Sequence, residues 1–441
     1  MNQRTFNDDC FSGSEEPGRS KLVEDARESY KEKTNSKASV TIMNASSKIG
    51  LSGLPLQVYI ILTVTLVLSL SRSISFPYLA MYLSGETAQG GIHISPALVG
   101  VISMSGGLAG TFALLAGGSL TDRFGRKRIM VSSMIPYIFV IIGIALAKTY
   151  SEFLYLMIAG GIIGALYDPA INAMIADRVQ PDRREEVYGL SYMLANVGTV
   201  IGPLIGGYIA SNIGYSILFI FTAILNTACA GAIFIWIRES RPKGVIYSLS
   251  FKQFAGIFKH RIFFFFCFLI MLTNIVYSQF YGLLSVYTGY MGFEPYFFGI
   301  LLSVNGSMVV FFQIPIRKAS TRIGSKKAFI IAQTFYGIGF SYFMFSRTFI
   351  QFLIGVILLT VGEIIFTPAI MGFVANLSPI DKRGRYMSIS SLFSGIGGAT
   401  GSMIGFWLLG ALANKALVWG VAGAIGFITL IGYIYLLKTS E

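Results

Sequence analysis

Between residues 55 and 437 the sequence is a succession of apolar runs of about twenty residues, and nearly all of its charge lies in the short segments between them. As an α-helix, a run of that length matches the hydrocarbon thickness of a bilayer; it is too long for a barrel strand. Runs near 55–82, 96–118, 129–147, 152–176, 187–210, 215–237, 263–288, 295–316, 328–345, 349–374, 386–411 and 417–437 predict twelve membrane helices. Charged residues are 12% of the chain, about half the fraction of a soluble domain. The expected fold class is therefore an all-α membrane protein.

The net charge of +13 would suit a nucleic-acid surface if it were gathered on one face of a soluble domain, but its distribution follows the membrane instead. Basic residues crowd alternate loops, only Lys148, Arg347 and Lys415 fall in the opposite set, and Arg72 lies inside a helix. That is a positive-inside pattern, which puts the basic loops in the cytoplasm and, with an even helix count, both termini as well. No nucleic-acid partner is expected. Cys10, Cys229 and Cys267 have no metal or disulfide spacing, and with His93 and His260 the only histidines no metal site is expected either.

Residues 1–52 carry eight basic and eight acidic residues among many Ser and Asn, too polar to bury a core. They read as a disordered cytoplasmic tail, and no apolar stretch follows a basic start as in a signal peptide. Met43 stands just ahead of the first apolar run, so Met1 and Met43 are alternative starts. Residues 238–262 form the longest internal polar stretch. There Phe251, Phe254 and Phe258 recur at helical spacing opposite Lys252, Gln253 and Lys259, which predicts a short interfacial helix in a cytoplasmic linker.

The two sides of that linker repeat. At an offset of 199 residues Gly100 falls on Gly299, Gly107 on Gly306, Gly125 on Gly324, Pro169 on Pro368, and Asp182 on Asp381. Gly198, Gly202 and Gly206 fall on Gly397, Gly401 and Gly405. The chain thus divides into six-helix bundles over 53–237 and 263–441, an internal duplication of the kind that builds many transporters.

Residues 118–128 read Gly-Ser-Leu-Thr-Asp-Arg-Phe-Gly-Arg-Lys-Arg, one acid and four bases between two apolar runs. Such charge is tolerated only outside lipid, so the stretch reads as a short turn at the membrane surface. Charge alone would make it an ordinary positive-inside loop. Its pattern G-x-L-x-D-R-x-G-R-K, however, resembles the signature loop between helices 2 and 3 of the major facilitator superfamily of secondary transporters, and the six-plus-six duplication agrees. The resemblance implies that Gly118, Asp122, Arg123, Gly125 and Arg126 belong to a cytoplasmic latch of the outward-facing state. The acid at the inner end of helix 4, Asp177, would be the partner of Arg126. The second-half counterpart, Thr321-Arg322-Ile323-Gly324-Ser325-Lys326-Lys327, lacks the acid.

On the fifth run, Gly189, Gly198, Gly202, Pro203, Gly206 and Gly207 fit G-x8-G-x3-G-P-x2-G-G. Glycine at every fourth residue gives a smooth helix face for close packing, which is the plain structural reading. The full pattern also resembles the antiporter motif of drug:proton exporters. In the second half Ser402 replaces the proline and Phe406 the last glycine, so Gly202 is expected to matter more than Gly401.

Ionisable groups inside the helices are few and costly unless paired or hydrated. Arg72, Asp168 and Glu363 are the proton-coupling candidates. Glu363 resembles the helix-10 acid of proton-coupled multidrug exporters, and a carboxyl in an apolar cavity can exchange a proton near neutral pH. Estimated depths of Arg72 and Glu363 differ by about 5 Å, so Arg72 is expected to pair with deprotonated Glu363. Asp168 precedes Pro169 and has a second reading as the cap of a kink. The arginine expected by resemblance within residues 155–161 is absent, which leaves Arg72 to take its part. Asn172, Asn274, Tyr277, Gln279, Tyr281 and Tyr287 are the neutral candidates for the cavity wall, with packing or interfacial anchoring as the alternative for the tyrosines.

The expectation is a multi-pass protein of the cell membrane, a monomer, moving a small amphipathic compound out against protons with no cofactor but the proton gradient. A proton symporter importing a metabolite shares the fold. A polytopic membrane enzyme would need paired acids for Mg²⁺ and phosphate, and Asp177 and Asp182 stand instead among Arg178, Arg183 and Arg184. A non-transporting receptor has no supporting feature.

Overall fold

The structure, a computed structural model, describes residues 54–85, 90–240, 260–379 and 382–439. The chain divides into Met1–Leu54 and Pro55–Glu441, and every helix among the described residues belongs to the second unit. The expected tail, the interfacial helix with Phe251, Phe254 and Phe258, Asp381, and the side chains of Thr321, Arg322, Ser325 and Lys326 lie outside the described residues.

Every described element is helical. In chain order they are α1 (Leu56–Ser84, interrupted by a 3₁₀ turn at Phe76–Tyr78), α2 (Pro96–Phe124), α3 (Arg126–Leu146), α4 (Tyr150–Gly164, resuming at Tyr167–Arg178), α5 (Arg184–Asn212) and α6 (Tyr215–Trp236). The second half continues with α7 (Arg261–Tyr281, resuming at Leu283–Tyr290), α8 (Pro295–Ile323), α9 (Ser325–Phe343), α10 (Phe349–Leu377), α11 (Arg383–Ala411) and α12 (Leu417–Thr439). Among the described residues, eleven are long and apolar enough to cross a membrane. The helix outside that count is α9, the expected ninth, whose N-terminal turn carries Lys326 and Lys327. It packs against α10 and α12, with Phe343 stacked on Phe352 at 5.9 Å and Tyr336 edge-on to Phe366 at 5.9 Å.

Local sequence explains the interruptions. Proline lacks a donor and its ring crowds the carbonyl four residues back. For Pro169 that carbonyl belongs to Ala165, and α4 breaks at Ala165 and Leu166. Its repeat partner Pro368 sits inside an unbroken α10, so the duplication does not carry the break. The duplication does reach the helix caps. Thr149 and Glu152 form a capping box on α4, and Thr348 and Gln351 form another on α10 at the same 199-residue offset. Each box satisfies two backbone N–H groups that would otherwise be unpaired.

The basic stretch 118–128 is less of a loop than its charge suggested. α2 continues to Phe124, the chain reverses at Gly125 with φ +103°, and α3 starts at Arg126. That φ is favourable only for glycine. Gly324 repeats the reversal between α8 and α9 with φ +87°.

The halves α1–α6 and α7–α12 meet along two seams, α2 with α11 and α5 with α8. Small residues let the backbones approach. A Cβ on Gly100 would stand 3.0 Å from the Cα of Met403, and one on Gly107 3.0 Å from the Cβ of Ala399. On the other seam the Ser303 hydroxyl donates to the Val200 carbonyl at 2.7 Å, and the Tyr296 N–H donates to Ser211 Oγ at 3.1 Å. The Tyr78 hydroxyl donates to the Pro203 carbonyl at 2.5 Å while its ring meets Phe298 edge-on at 5.9 Å. These contacts belong to the end of the bundle opposite the basic loops. Toward the basic end, Gly118 and Gly189 have nothing within 4 Å of where a Cβ would stand, and Gln313 reaches the Tyr192 hydroxyl at 3.3 Å.

Candidate functional site

A cavity of about 720 Å³ lies among α1, α2, α3, α4, α7 and α11. Its walls owe their room to glycine: Gly106 and Gly110 of α2 pack on Gly161 of α4, Gly160 and Gly164 of α4 face Val140 and Tyr137 of α3, and Gly107 faces Ala399 of α11. Phe76, Leu79, Val140, Ile144 and Met157 make the lining mainly apolar, with Tyr137, Tyr281 and the hydroxyls of Ser73, Ser103, Ser278 and Ser402 between them. A mostly apolar wall with a few polar groups is the usual make-up of a small-molecule site.

Its charged groups are Arg72 and Asp168. Arg72 Nη1 stands 3.6 Å from Asp168 Oδ2, with the two side chains 37% and 58% exposed to the opening. The break in α4 turns Asp168 out at the start of its second segment, and Arg72 lies 6.0 Å over the ring of Tyr167. The expected partnership of Arg72 with Glu363 is thereby corrected: the ion pair of Arg72 is with Asp168, inside the first half. Among the described residues no ion pair includes Glu363.

Glu363 is held within the second half. Its Oε2 accepts from Asn305 Nδ2 at 2.8 Å, and the same amide donates to Thr360 Oγ1 at 2.9 Å. Tyr277 of α7 stands beside the carboxylate, with its hydroxyl 3.4 Å from the Tyr281 hydroxyl. Tyr281 is on the cavity wall, so Glu363 connects to the cavity without lining it.

The other neutral candidates stand elsewhere. Gln279 is 4% exposed and donates from Nε2 to the carbonyls of Gly401 at 2.6 Å and Ile275 at 2.9 Å, which ties α7 to α11. Tyr287, 1% exposed, packs edge-on against Trp419 at 5.4 Å. Asn274 donates to the Ile270 carbonyl of its own helix at 2.9 Å. Asn172 is exposed, and its carbonyl accepts from the Tyr188 hydroxyl at 2.8 Å. None of the four lines the cavity. Gln279 and Tyr287 face inward to packing, whereas Asn274 and Asn172 share the faces of Tyr281 and Asp168 but stand one to two turns away along the helix.

At the basic end Arg126, 5% exposed, bridges two acids: Nη2 is 3.0 Å from Asp122 Oδ1, and Nε is 2.9 Å from Asp177 Oδ2. Arg123 stays apart over the Phe124 ring at 5.3 Å. The start of the linker joins this cluster through Glu239 and Ser240, two residues that the sequence reading does not single out. Glu239 accepts the N–H groups of Lys127 and Arg128 at 3.0 Å each, one on either carboxylate oxygen, and so caps the start of α3. A carboxylate there also opposes the positive end of the helix dipole. Ser240 donates to Asp177 Oδ2 at 2.8 Å, and Arg178 Nη2 donates to the Arg238 carbonyl at 2.7 Å.

On α5 the glycines receive α1 and α8. A Cβ on Gly202 would stand 2.5 Å from the Cβ of Ser73, and one on Gly207 2.8 Å from the Cα of Tyr296. Gly198 faces Leu70 and Ser69, and Gly206 faces Ile74 and Tyr78. Gly401 is equally closed, with Ile275 Cα 2.6 Å from its would-be Cβ. The expected difference between Gly202 and Gly401 therefore finds no support in packing.

A family model described as Major Facilitator Superfamily matches residues 61–318 and 292–441. The chain is 27% identical over 395 residues to a protein named Na(+), Li(+), K(+)/H(+) antiporter from Planococcus maritimus, covering 82% of this chain and 90% of that one. It is 24% identical over 363 residues to multidrug resistance protein MdtG of Salmonella arizonae, covering 80% and 89%. Among solved structures, nucleoside transporter NupG superposes with a TM-score of 0.77 at 13% identity over 86% of this chain and 99% of that one. A POT family transporter superposes with a TM-score of 0.74 at 16% identity over 89% and 97%. These relatives are membrane transporters and not enzymes.

Proposed function

The chain belongs to the Major Facilitator Superfamily of membrane transporters, and from that premise we propose that it is a proton-driven antiporter exporting small amphipathic compounds by alternating access. One observation carries this reading: the charge in the cavity is an ion pair, Arg72–Asp168, whose carboxylate is more exposed than its guanidinium. A cationic or amine-bearing compound entering the cavity competes with Arg72 for Asp168, while the apolar and aromatic walls take its body. The second ionisable group, Glu363, stands apart in the other half and exchanges the proton. Separate sites for substrate and proton, one in each half, let occupancy of either bias the same equilibrium between inward- and outward-facing states.

In this proposal the protein has twelve spans, cytoplasmic termini and a place in the cell membrane as a monomer, powered by the proton gradient without a bound cofactor. The seams close tightly at the far end, while toward the basic loops space remains at Gly118 and Gly189 and Gln313 still reaches Tyr192; this arrangement is read as an inward-facing state. The Asp122–Arg126–Asp177 cluster, expected as a latch of the outward-facing state, is formed here within the first half alone; in this proposal it holds the basic end of that half rigid, so that the half rocks as a body. The names of the relatives, a cation/proton antiporter and a multidrug resistance protein, support antiport and leave two cargo classes to compare.

Purified protein in liposomes with an imposed pH gradient tests the proposal. Uptake of lipophilic cations is measured beside Na⁺, K⁺, sugars and amino acids. Gradient-driven movement of lipophilic cations in exchange for protons is expected. Movement of sugars or amino acids in the same direction as protons would overturn it.

A further inference from the structure

Glu363 is not free to take its proton on either oxygen. Thr360 Oγ1 donates its own hydrogen to the Val356 carbonyl at 2.7 Å, so toward Asn305 it can only accept. Asn305, 6% exposed, must therefore present its NH₂ group to Thr360, and the same nitrogen donates to Glu363 Oε2. An NH₂ cannot accept a hydrogen bond, so Oε2 remains an acceptor whether the carboxyl is charged or neutral. The proton is left to Oε1.

The amide is also fixed in position. Ser303 and Gly306, on the same stretch of α8, meet Val200 of α5, through the 2.7 Å hydrogen bond and through a would-be Cβ contact of 3.0 Å. Movement at this seam carries the amide with it. Around Glu363 the titratable groups are Tyr277 and Tyr281 of α7 and Tyr336 of α9. Tyr277 and Tyr281 are one helical turn apart with hydroxyls 3.4 Å from each other, and only Tyr281 reaches the cavity wall.

We propose that Asn305 directs the proton of Glu363 to Oε1 and that Tyr277 and Tyr281 relay it to the cavity. This rests on the reading of Glu363 as the proton site. In the relay the Oε1–H bond breaks as Tyr277 Oη gains that hydrogen. Tyr277 passes its own hydrogen to Tyr281, and Tyr281 passes its own to a water molecule entering the cavity. One proton leaves Glu363, one reaches water, and both tyrosines end neutral. Reversal loads the carboxylate. Asn305 is thus a positioning residue, acting through Glu363 and touching no substrate.

The test compares wild type, Tyr277→Phe, Tyr281→Phe, Asn305→Leu and Tyr336→Phe in liposomes. Rates driven by a pH gradient are measured across pH, beside substrate exchange at equal pH, which needs no net proton movement. Each Phe keeps the aromatic packing and removes one hydroxyl. Tyr277→Phe and Tyr281→Phe are expected to lose about tenfold in gradient-driven rate relative to exchange, the size of one hydrogen bond to a charged group. Asn305→Leu is expected to shift the pH midpoint of driven transport, and Tyr336→Phe to do neither. Wild-type driven rates in both Tyr277→Phe and Tyr281→Phe, with Glu363→Gln inactive, would overturn the relay and leave Glu363 as the proton site. Wild-type driven rates in Glu363→Gln would overturn both.

Discussion

Arg72 of α1 pairs with Asp168 of α4 at 3.6 Å, on the first-half wall of the cavity and away from the acid of the second half. The two ionisable centres inside the membrane are therefore distinct: a salt bridge open to the cavity, and a carboxylate bonded by the Asn305 amide behind its wall. Coupling then need not pass through direct contact between them. It arises if each centre has different bonding partners in the two states of the seams.

Asp168→Asn tests the first centre. Both partners are more than a third exposed, so the pair contributes little to stability, about 0–1 kcal/mol, and insertion and thermal stability should be nearly unchanged. Binding of a cationic compound should weaken by about tenfold, the size of one charge-assisted hydrogen bond, while a neutral analogue binds as before. Competition binding in detergent checks this; equal loss for both compounds would remove Asp168 from substrate recognition.

Buried Arg126 should behave differently. Arg126→Gln leaves Asp122 and Asp177 facing each other without a cation, a cost of about 3–5 kcal/mol for a broken buried pair. Asp122→Asn keeps the Arg126–Asp177 bridge and should insert normally with reduced turnover. Thermal unfolding and transport of the two variants separate these effects. Wild-type turnover in Asp122→Asn would reduce the stretch to a topology signal.

Glu239→Ala should loosen the start of α3. The Lys127 and Arg128 amides lose their acceptor, a cap worth about 0.5–2 kcal/mol. Hydrogen exchange at those two amides should speed up while the rest of α3 is unchanged. Unaltered exchange would mean that Glu239 does not hold this turn.

Gly202→Leu and Gly401→Leu should both abolish transport. Each places a side chain against a neighbouring helix backbone, α1 at Gly202 and α7 at Gly401. A selective loss in Gly202→Leu alone would restore a special role to the glycine pattern of α5 beyond packing.

The twelve helices and their duplication were legible because apolar length and glycine spacing are one-dimensional properties. Thr149 and Thr348 with their capping partners show how far the repeat extends, and Pro169 correctly marked the break in α4. Facing was not legible. Depth along the membrane follows from residue count, and it brought Arg72 level with Glu363, but the angle around each helix decides which groups meet. That angle turned Arg72 to Asp168 and buried Gln279 against Gly401. Glu239 was missed for another reason: it is one exposed acid after a helix, and only the fold carries it to the start of α3. Asn305 carried the same signal as Asn172, Asn274 and Gln279, an amide inside an apolar run, and nothing in the sequence ranks it above them.

Proton movement in Glu363→Gln tests the central claim most directly. The substitution fixes a neutral side chain of nearly the same size, and its amide oxygen can still accept from Asn305. Protein in liposomes is given a pH gradient, and proton flux is recorded with and without substrate. Substrate should accelerate proton flux in the wild type and leave it unchanged in Glu363→Gln, while exchange of substrate at equal pH continues in both. Undiminished substrate-coupled proton flux in Glu363→Gln would contradict the account and move the proton site elsewhere, with Asp168 the next carboxylate to test.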